Sequence, residues 1–242
     1  MVYNSLFKHA ENHIKIVREL AKRPRGMDQD ELLKAVKLTS GGTSSKILKE
    51  LAEAGFILAI PNFSKGKKNR KYKLIDFYSL FYLAWIEKAN QQSIGEIESN
   101  YWQKLEFTPA WKSWSGYAFE NVCLQHIPQI KSALGIAGVN SKNSAWWNTD
   151  SQIDLVIDRA DQCINLCEIR FHNQEYQVSK EDVIKLQSRK YHFIEVTGSK
   201  KAIFITFISV YGAKKSLNYN TAIDNQVTVD DLFNEGSFLR VS

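Results

Sequence analysis

Asp154, Glu168 and Arg170 are the residues of this chain whose types and spacing best suit them for chemistry. Asp154 lies in QIDLVID (152–158), and Glu168 and Arg170 lie in CINLCEIRF (163–171). The polar stretch RADQ (159–162) separates the two runs. Two strands joined by so tight a turn bring residues 154 and 168 side by side, and Arg170, two positions past Glu168, points to the same sheet face. A pair of carboxylates beside a cation is what a Mg²⁺ (or Mn²⁺) phosphodiesterase site needs. The metal takes hard oxygen ligands, commonly one or two carboxylates with waters and substrate phosphate. The cation then supports the charge that grows on the phosphate in the transition state. The plainer alternative is a strand-end turn residue at Asp154 and an ordinary same-face ion pair between Glu168 and Arg170, which contributes little where exposed.

The positioning elements follow from periodicity. Ile153, Leu155 and Ile157 fall on one face of the first strand, and Asp154, Val156 and Asp158 on the other. In the second strand Ile164, Leu166, Glu168 and Arg170 share a face. SKEDVIKLQSRKYHFI reads as a helix that Ser179 caps, with Asp182 at its third position. AIFITFISVYG (202–212) reads as a central strand, and QVTVDDLF as a closing strand and short helix. Upstream, residues 76–91, 99–107 and 107–131 read as helices. The first two carry aromatic faces, for which packing between two modules is the simpler role and nucleic-acid stacking the alternative. His126, His172 and His192 form no nucleophile pattern and read as structural.

Net charge is +6, unevenly spread. Residues 1–75 hold 16 Lys and Arg against 7 Asp and Glu, a balance of +9, and the remainder holds 16 against 19. A basic half beside a mildly acidic half points to a polyanionic partner, DNA. The order of elements agrees. Helices over ENHIKIVRELAKRP, MDQDELLKAVKL and TSSKILKELAEAG precede two strand-like runs, FILAIPNF and KYKLIDFY, around the tip SKGKKNR. Asp28 with Glu31 has capping-box spacing, and Gly55 sits where a left-handed helix cap belongs. Three helices and a hairpin is the winged-helix order. The third helix presents Thr43, Ser44, Ser45, Lys46 and Lys49 to the major groove, and the wing carries Lys65, Lys67, Lys68, Arg70, Lys71 and Lys73 for phosphates. An adaptor wing facing solvent or an acidic protein is the alternative.

Length and composition are those of an ordinary globular protein of one large or two modest domains. No apolar run is long enough to span a bilayer, and the N-terminus is no signal peptide. Cys123, Cys163 and Cys167 form no CxxC pair and read as small core residues, which points to the cytoplasm. G-x-x-x-x-G-K-[ST] is absent, and SGGTSSK (40–46) lacks the second Gly beside Lys, so no nucleotide-hydrolysing loop is expected in this chain.

An Asp followed by Glu-x-Lys on consecutive strands marks the PD-(D/E)xK nuclease superfamily, and Asp154 with Glu168-Ile169-Arg170 resembles it. More narrowly, GYAFENVCLQHI, QIDLVIDRAD, INLCEIRF and ISVYG with DDLF resemble the C-terminal region of a large family of archaeal and bacterial ATPases. In that family an AAA+-type P-loop domain precedes a winged helix and a nuclease-like domain, and the resemblance covers nearly the whole chain. It implies an N-terminal winged helix-turn-helix (1–75), a helical linker (76–114) and a restriction-endonuclease-like α/β/α domain with a mixed sheet (115–242). It implies DNA and an ATPase domain as partners, and Glu120 as a third metal ligand beside Asp154 and Glu168. Two departures stand out. The ATPase domain is absent, so the sequence reads as a fragment or a stand-alone relative. The motif Lys is Arg170, whose pKa is too high for a general base, with Lys185 on the following helix as a substitute. Two functions follow: a metal-dependent nuclease targeted by its winged helix, or a non-cleaving DNA-binding or regulatory module that keeps the nuclease fold as a scaffold.

Overall fold

Apolar residues at helical spacing build the N-terminal region. In the computed structural model, which describes residues 3–63, 66–92 and 100–234 except for the side chains of 66–68 and 90–92, α1 (Tyr3–Leu6) leads into α2 (Glu11–Ala21). The short strand β1 (Met27–Asp28) and the helices α3 (Gln29–Ala35) and α4 (Gly42–Glu53) follow. Ile16, Val17 and Leu20 of α2, Leu32 of α3, and Ile47, Leu48 and Leu51 of α4 meet in one core. A hairpin comes next, β2 (Ile57–Asn62) and β3 (Gly66–Leu74), with β1 antiparallel to β3 through Met27↔Tyr72. Gly55 takes the expected left-handed conformation at φ +76°. Asp28 stands at the N-cap of α3, but its side chain makes no cap hydrogen bond.

The aromatic stretch folds as α5 (Phe77–Phe81), a wide π-helical segment Tyr82–Ile86, α6 (Glu87–Gln92), α7 (Tyr101–Glu106) and the first part of α8 (Pro109–Gln125). Phe81 meets Trp102, Trp111 and Trp114, and Trp85 meets Trp111 and Trp114, all with ring centroids within 6.5 Å. These rings pack on one another inside the same compact unit as the N-terminal helices.

The chain divides into two units, Met1–Pro61 with Lys67–Ala118, and Asn62–Gly66 with Phe119–Ser242. The second is mixed α/β. After α9 (Ile127–Ala133), its sheet contains β4 (Ser141–Trp147), β5 (Gln152–Arg159), β6 (Cys163–Arg170), β7 (Ala202–Ser209) and β8 (Asn225–Thr228), side by side in that order. β5 runs antiparallel to both β4 and β6, and β6, β7 and β8 run parallel. The long helix α10 (Lys180–Thr197) joins β6 to β7, α11 (Leu217–Ala222) precedes β8, and α12 (Val229–Phe233) closes the fold. Val156, Leu166, Ile203 and Phe193 share one core cluster, and Leu186, Ile205, Phe207 and Tyr219 share another. The expected central strand is β7, flanked on both sides. Among the described residues no helix is long and apolar enough to cross a membrane.

Two expectations need correction. The strict alternation read across QIDLVID breaks at residues 154–155. The β4–β5 register passes from Ser144↔Val156 to Trp146↔Ile153, so two residues of β5 oppose one of β4, a β-bulge. Ile153 and Val156, three residues apart, therefore enter the same cluster. On the hairpin, Lys73 is no solvent-facing cation, since it is only 2% exposed.

Gly26 shows how tightly the first unit is made. It adopts φ +78°, and a Cβ there would lie 2.8 Å from the Tyr72 carbonyl oxygen. Gly26→Ala is expected to destabilise this unit by about 1–3 kcal/mol through strain and backbone displacement. Chemical denaturation that leaves the midpoint unchanged would contradict this.

Candidate functional site

Glu168 and Arg170 share the face of β6 that α10 covers. Arg170 Nε donates to Glu168 Oε1 at 3.0 Å, and its NH1 donates to Asp182 Oδ1 at 2.9 Å and to the Tyr176 hydroxyl at 2.8 Å. Arg189, two turns along α10 from Asp182, donates to the other Glu168 oxygen, Oε2. Asp182 Oδ2 accepts from the Tyr176 hydroxyl at 2.7 Å, the Ser179 hydroxyl at 2.7 Å and the Ser179 backbone N–H at 2.9 Å. Each carboxylate oxygen of this cluster thus has a donor.

The sequence builds the cluster locally. Glu168 and Arg170 are two apart on a strand, so they stand on one face. Ser179 and Asp182 form a reciprocal capping box at the start of α10. Asp182, Leu186, Arg189 and Phe193 recur at helical spacing, so all four turn toward the sheet. The side chains of Glu168, Asp182 and Arg170 are only 12%, 10% and 23% exposed. Burial alone would raise the Asp182 carboxyl. The donors from Ser179, Tyr176 and Arg170 outweigh it and hold that carboxyl well below the usual carboxylate range. Burial also works against the Arg170 charge, yet Glu168 and Asp182 make the guanidinium more firmly protonated than usual. Burial and the nearby Arg170 push the imidazole of His172 down.

The hydrogen bonds just described do not include Asp154. The β5–β6 ladder runs from Asp158↔Ile164 to Leu155↔Cys167 and stops one residue short of an Asp154–Glu168 pair. The bulge sets Asp154 with Gln152, whose Nε2 donates to Asp154 Oδ1 at 3.1 Å, rather than with Ile153, which packs beside Phe193 of α10. Its electrostatic neighbours include Cys123 of α8 and Cys167 of β6. The Cys123 thiol is raised by burial first, then by Cys167, Glu120 and Asp154. Glu120 and Asp154 thus both act on Cys123. Lys185 is exposed on α10, in an open groove that also includes Asp150, Arg189 and His192.

This arrangement bears on the divalent metal. An ion such as Mg²⁺ needs oxygen lone pairs directed at an open position. Both oxygens of Glu168 are engaged by guanidinium groups, and Asp182 is saturated. Among the described residues no group of three or more His, Cys, Asp or Glu side chains could hold a metal. As arranged, Glu168 and Asp182 leave no oxygen open to such an ion.

On the basic unit, Ser45, Lys46 and Lys49 are exposed on α4. Ser44, expected beside them, is buried, and its hydroxyl donates back to the Thr39 carbonyl. Lys46 and Lys49 face Glu50 and Glu53 one turn on, at 3.8 and 3.5 Å. Arg70 and Lys71 lie half-buried on β3. Lys65 and the side chains of Lys67 and Lys68 lie outside the described residues.

Tyr176, Asp182 and Arg189 are the members that the strand motif does not contain. Asp182 was visible as a capping residue, and its recurrence with Leu186, Arg189 and Phe193 was the available sign that it also faces the sheet. A family model described as archaeal and bacterial proteins of unknown function matches residues 82–186, less than half of the chain. It spans Asp154, Glu168, Arg170 and Asp182 and ends before Arg189. No curated protein and no solved structure matches the chain.

Removing Asp182 should be costly, because it leaves a buried guanidinium short of a partner and deprives α10 of its capping box. Asp182→Ala is expected to lose about 3–5 kcal/mol of stability. The depressed folded-state pKa also fixes a pH dependence. Its contribution is present above the unfolded carboxylate value near ~4 and is lost as pH falls below that. Denaturation of wild type and Asp182→Ala at descending pH should show the gap closing in acid, and a gap constant from neutral pH down to strong acid would refute the assignment.

Proposed function

We propose that the chain is a DNA-binding regulatory module whose α/β unit serves as a rigid scaffold rather than a nuclease. One observation carries the second half of this reading: Arg170 and Arg189 together occupy both oxygens of Glu168, where a cleaving enzyme of this kind needs an open metal ligand. Arg170 is itself saturated with carboxylate and hydroxyl partners, so it has neither the pKa nor the freedom to activate water.

The first half is supported by the charge balance and by the order of elements. Helices α2, α3 and α4 with the hairpin of β2 and β3 resemble a winged helix, the first 75 residues carry a balance of +9, and Ser45, Lys46 and Lys49 lie exposed on α4. In this reading α4 enters the major groove and the cations from Lys65 to Lys71 contact phosphates. The resemblance to ATPase-linked proteins adds a natural partner, an AAA+-type ATPase domain, whose placement on DNA such a module would direct.

Two measurements test the two halves separately. Duplex binding followed by fluorescence anisotropy across a salt titration should weaken when Lys67, Lys68 and Arg70 are replaced together by Gln. The slope of log affinity against log salt should fall by about 3. An unchanged slope would refute the DNA half. Incubation of the wild type with duplex, branched and single-stranded DNA in Mg²⁺ or Mn²⁺ should yield no cleavage. Cleavage that disappears in Asp154→Ala would overturn the scaffold half and establish the metal-dependent nuclease instead.

A further inference from the structure

The first unit contains a cavity that neither the ion network nor the basic surface uses. Its volume is about 600 Å³, inside the roughly 300–1,000 Å³ typical of small-molecule sites. Most of the wall is apolar, with Val17 of α2, Phe56 before β2 and Leu83 of the π-helical segment among its members. Tyr78 and Tyr82 belong to it as a stacked pair, with ring centroids 5.8 Å apart and planes 18° from parallel. Tyr78 is 66% exposed. Tyr82 opens the π-helical segment, a rare backbone form frequent at functional sites.

The polar groups in the wall are few and fixed. Asp76 caps α5, its Oδ2 accepting the Ser79 N–H at 2.8 Å. The Tyr3 and Ser79 hydroxyls share a 2.5 Å hydrogen bond. Glu87 accepts from NH1 and NH2 of Arg18 at 2.8 and 2.6 Å. That bidentate pair fixes the guanidinium plane while using only two of its five N–H donors. The cavity thus offers an immobilised carboxylate acceptor and an immobilised guanidinium donor beside stacked aromatic rings. A ligand that answers all three needs a flat ring with an N–H next to a carbonyl.

We propose that this cavity binds a planar heteroaromatic molecule with such a lactam edge, guanine and its nucleoside being the common cellular examples. The ring lies against Tyr78 and Tyr82, its N–H groups donate to Asp76, and its carbonyl accepts from Arg18. Guanine sets two parallel donors, N1–H and N2–H, against the carboxylate with O6 beside them for the guanidinium, whereas adenine offers one amino N–H beside a ring nitrogen, so it meets the carboxylate with a single hydrogen bond. The site does not depend on the DNA or scaffold reading, since no residue assigned to DNA contact or to the Arg170 network lines it.

Isothermal titration of the full chain with guanosine and adenosine tests this directly. Guanosine is expected to bind at least about tenfold more tightly, a modest share of what a hydrogen-bonding site discriminates. Asp76→Asn keeps the helix cap, because Asn caps as well as Asp, but replaces the acceptor, and it should abolish the preference. Tyr82→Leu should weaken both nucleosides. Absence of guanosine binding up to about 1 mM, equal affinity for both nucleosides, or wild-type preference in Asp76→Asn would each overturn the proposal. The comparison of nucleosides on the wild type stands even if a variant does not fold.

Discussion

The guanidinium of Arg170 is the tie on which the α/β unit depends. It sits on β6 beneath the first turn of α10, where water is mostly excluded, and an isolated charge there would cost several kcal/mol. The surroundings are arranged to meet that cost. Glu168 comes from the same strand face, Asp182 from the helix, and Tyr176 from the connection between them. Asp182 must then be ionised, so Ser179 and Tyr176 supply its other oxygen with donors. Glu168 must be ionised as well, and Arg189 balances its second oxygen. Two carboxylates and two guanidinium groups make a neutral set in which each member requires the others. The result pins the start of α10 to the sheet at a fixed register.

A lysine at position 170 would not have this effect. An ammonium is a point charge with three donors on a flexible stem, whereas a guanidinium presents a planar fork that reaches partners in two directions. Arg170 uses that fork to join a strand neighbour on one side to a helix cap on the other. Its departure from Glu-x-Lys is therefore more than a change of one base for another. It fills the position with a side chain whose own hydrogen bonds join Glu168, Tyr176 and Asp182.

Much of this organisation was legible in the sequence. The hairpin of β5 and β6, the flanked strand β7, the capping box at Ser179 and Asp182, and the same-face placement of Glu168 and Arg170 follow from periodicity and cap chemistry. The bulge was not legible, for a physical reason. Leu155 and Val156 are both apolar, so either phase of the strand puts a hydrophobic side chain in a core, and the slip at Asp154 leaves no trace in the pattern. β4 was hidden as well, because SKNSAWW begins with four polar residues and lacks strand alternation. Ser44 looked like a surface hydroxyl at a helix start. Such hydroxyls also bond back to local carbonyls, and this one does. Arg189 was out of reach because its partner lies across a strand–helix gap that only the fold defines.

The basic unit follows the opposite electrostatic logic. Where the α/β unit buries its charges in a matched set, α4 leaves Lys46 and Lys49 well exposed, each facing a glutamate one turn away. Such i,i+4 pairs contribute only about 0.3–0.5 kcal/mol, so they hold the side chains in place without committing them. A phosphate, which draws on counterion release and on several contacts at once, outcompetes a pair of that strength. The same lysines cannot carry strong binding alone, because each must exchange one anion for another. The sequence also concentrates cations between Lys65 and Lys71. Under the DNA-binding reading proposed above, that leaves α4 to set position on the duplex and the cations from Lys65 to Lys71 to contact phosphates.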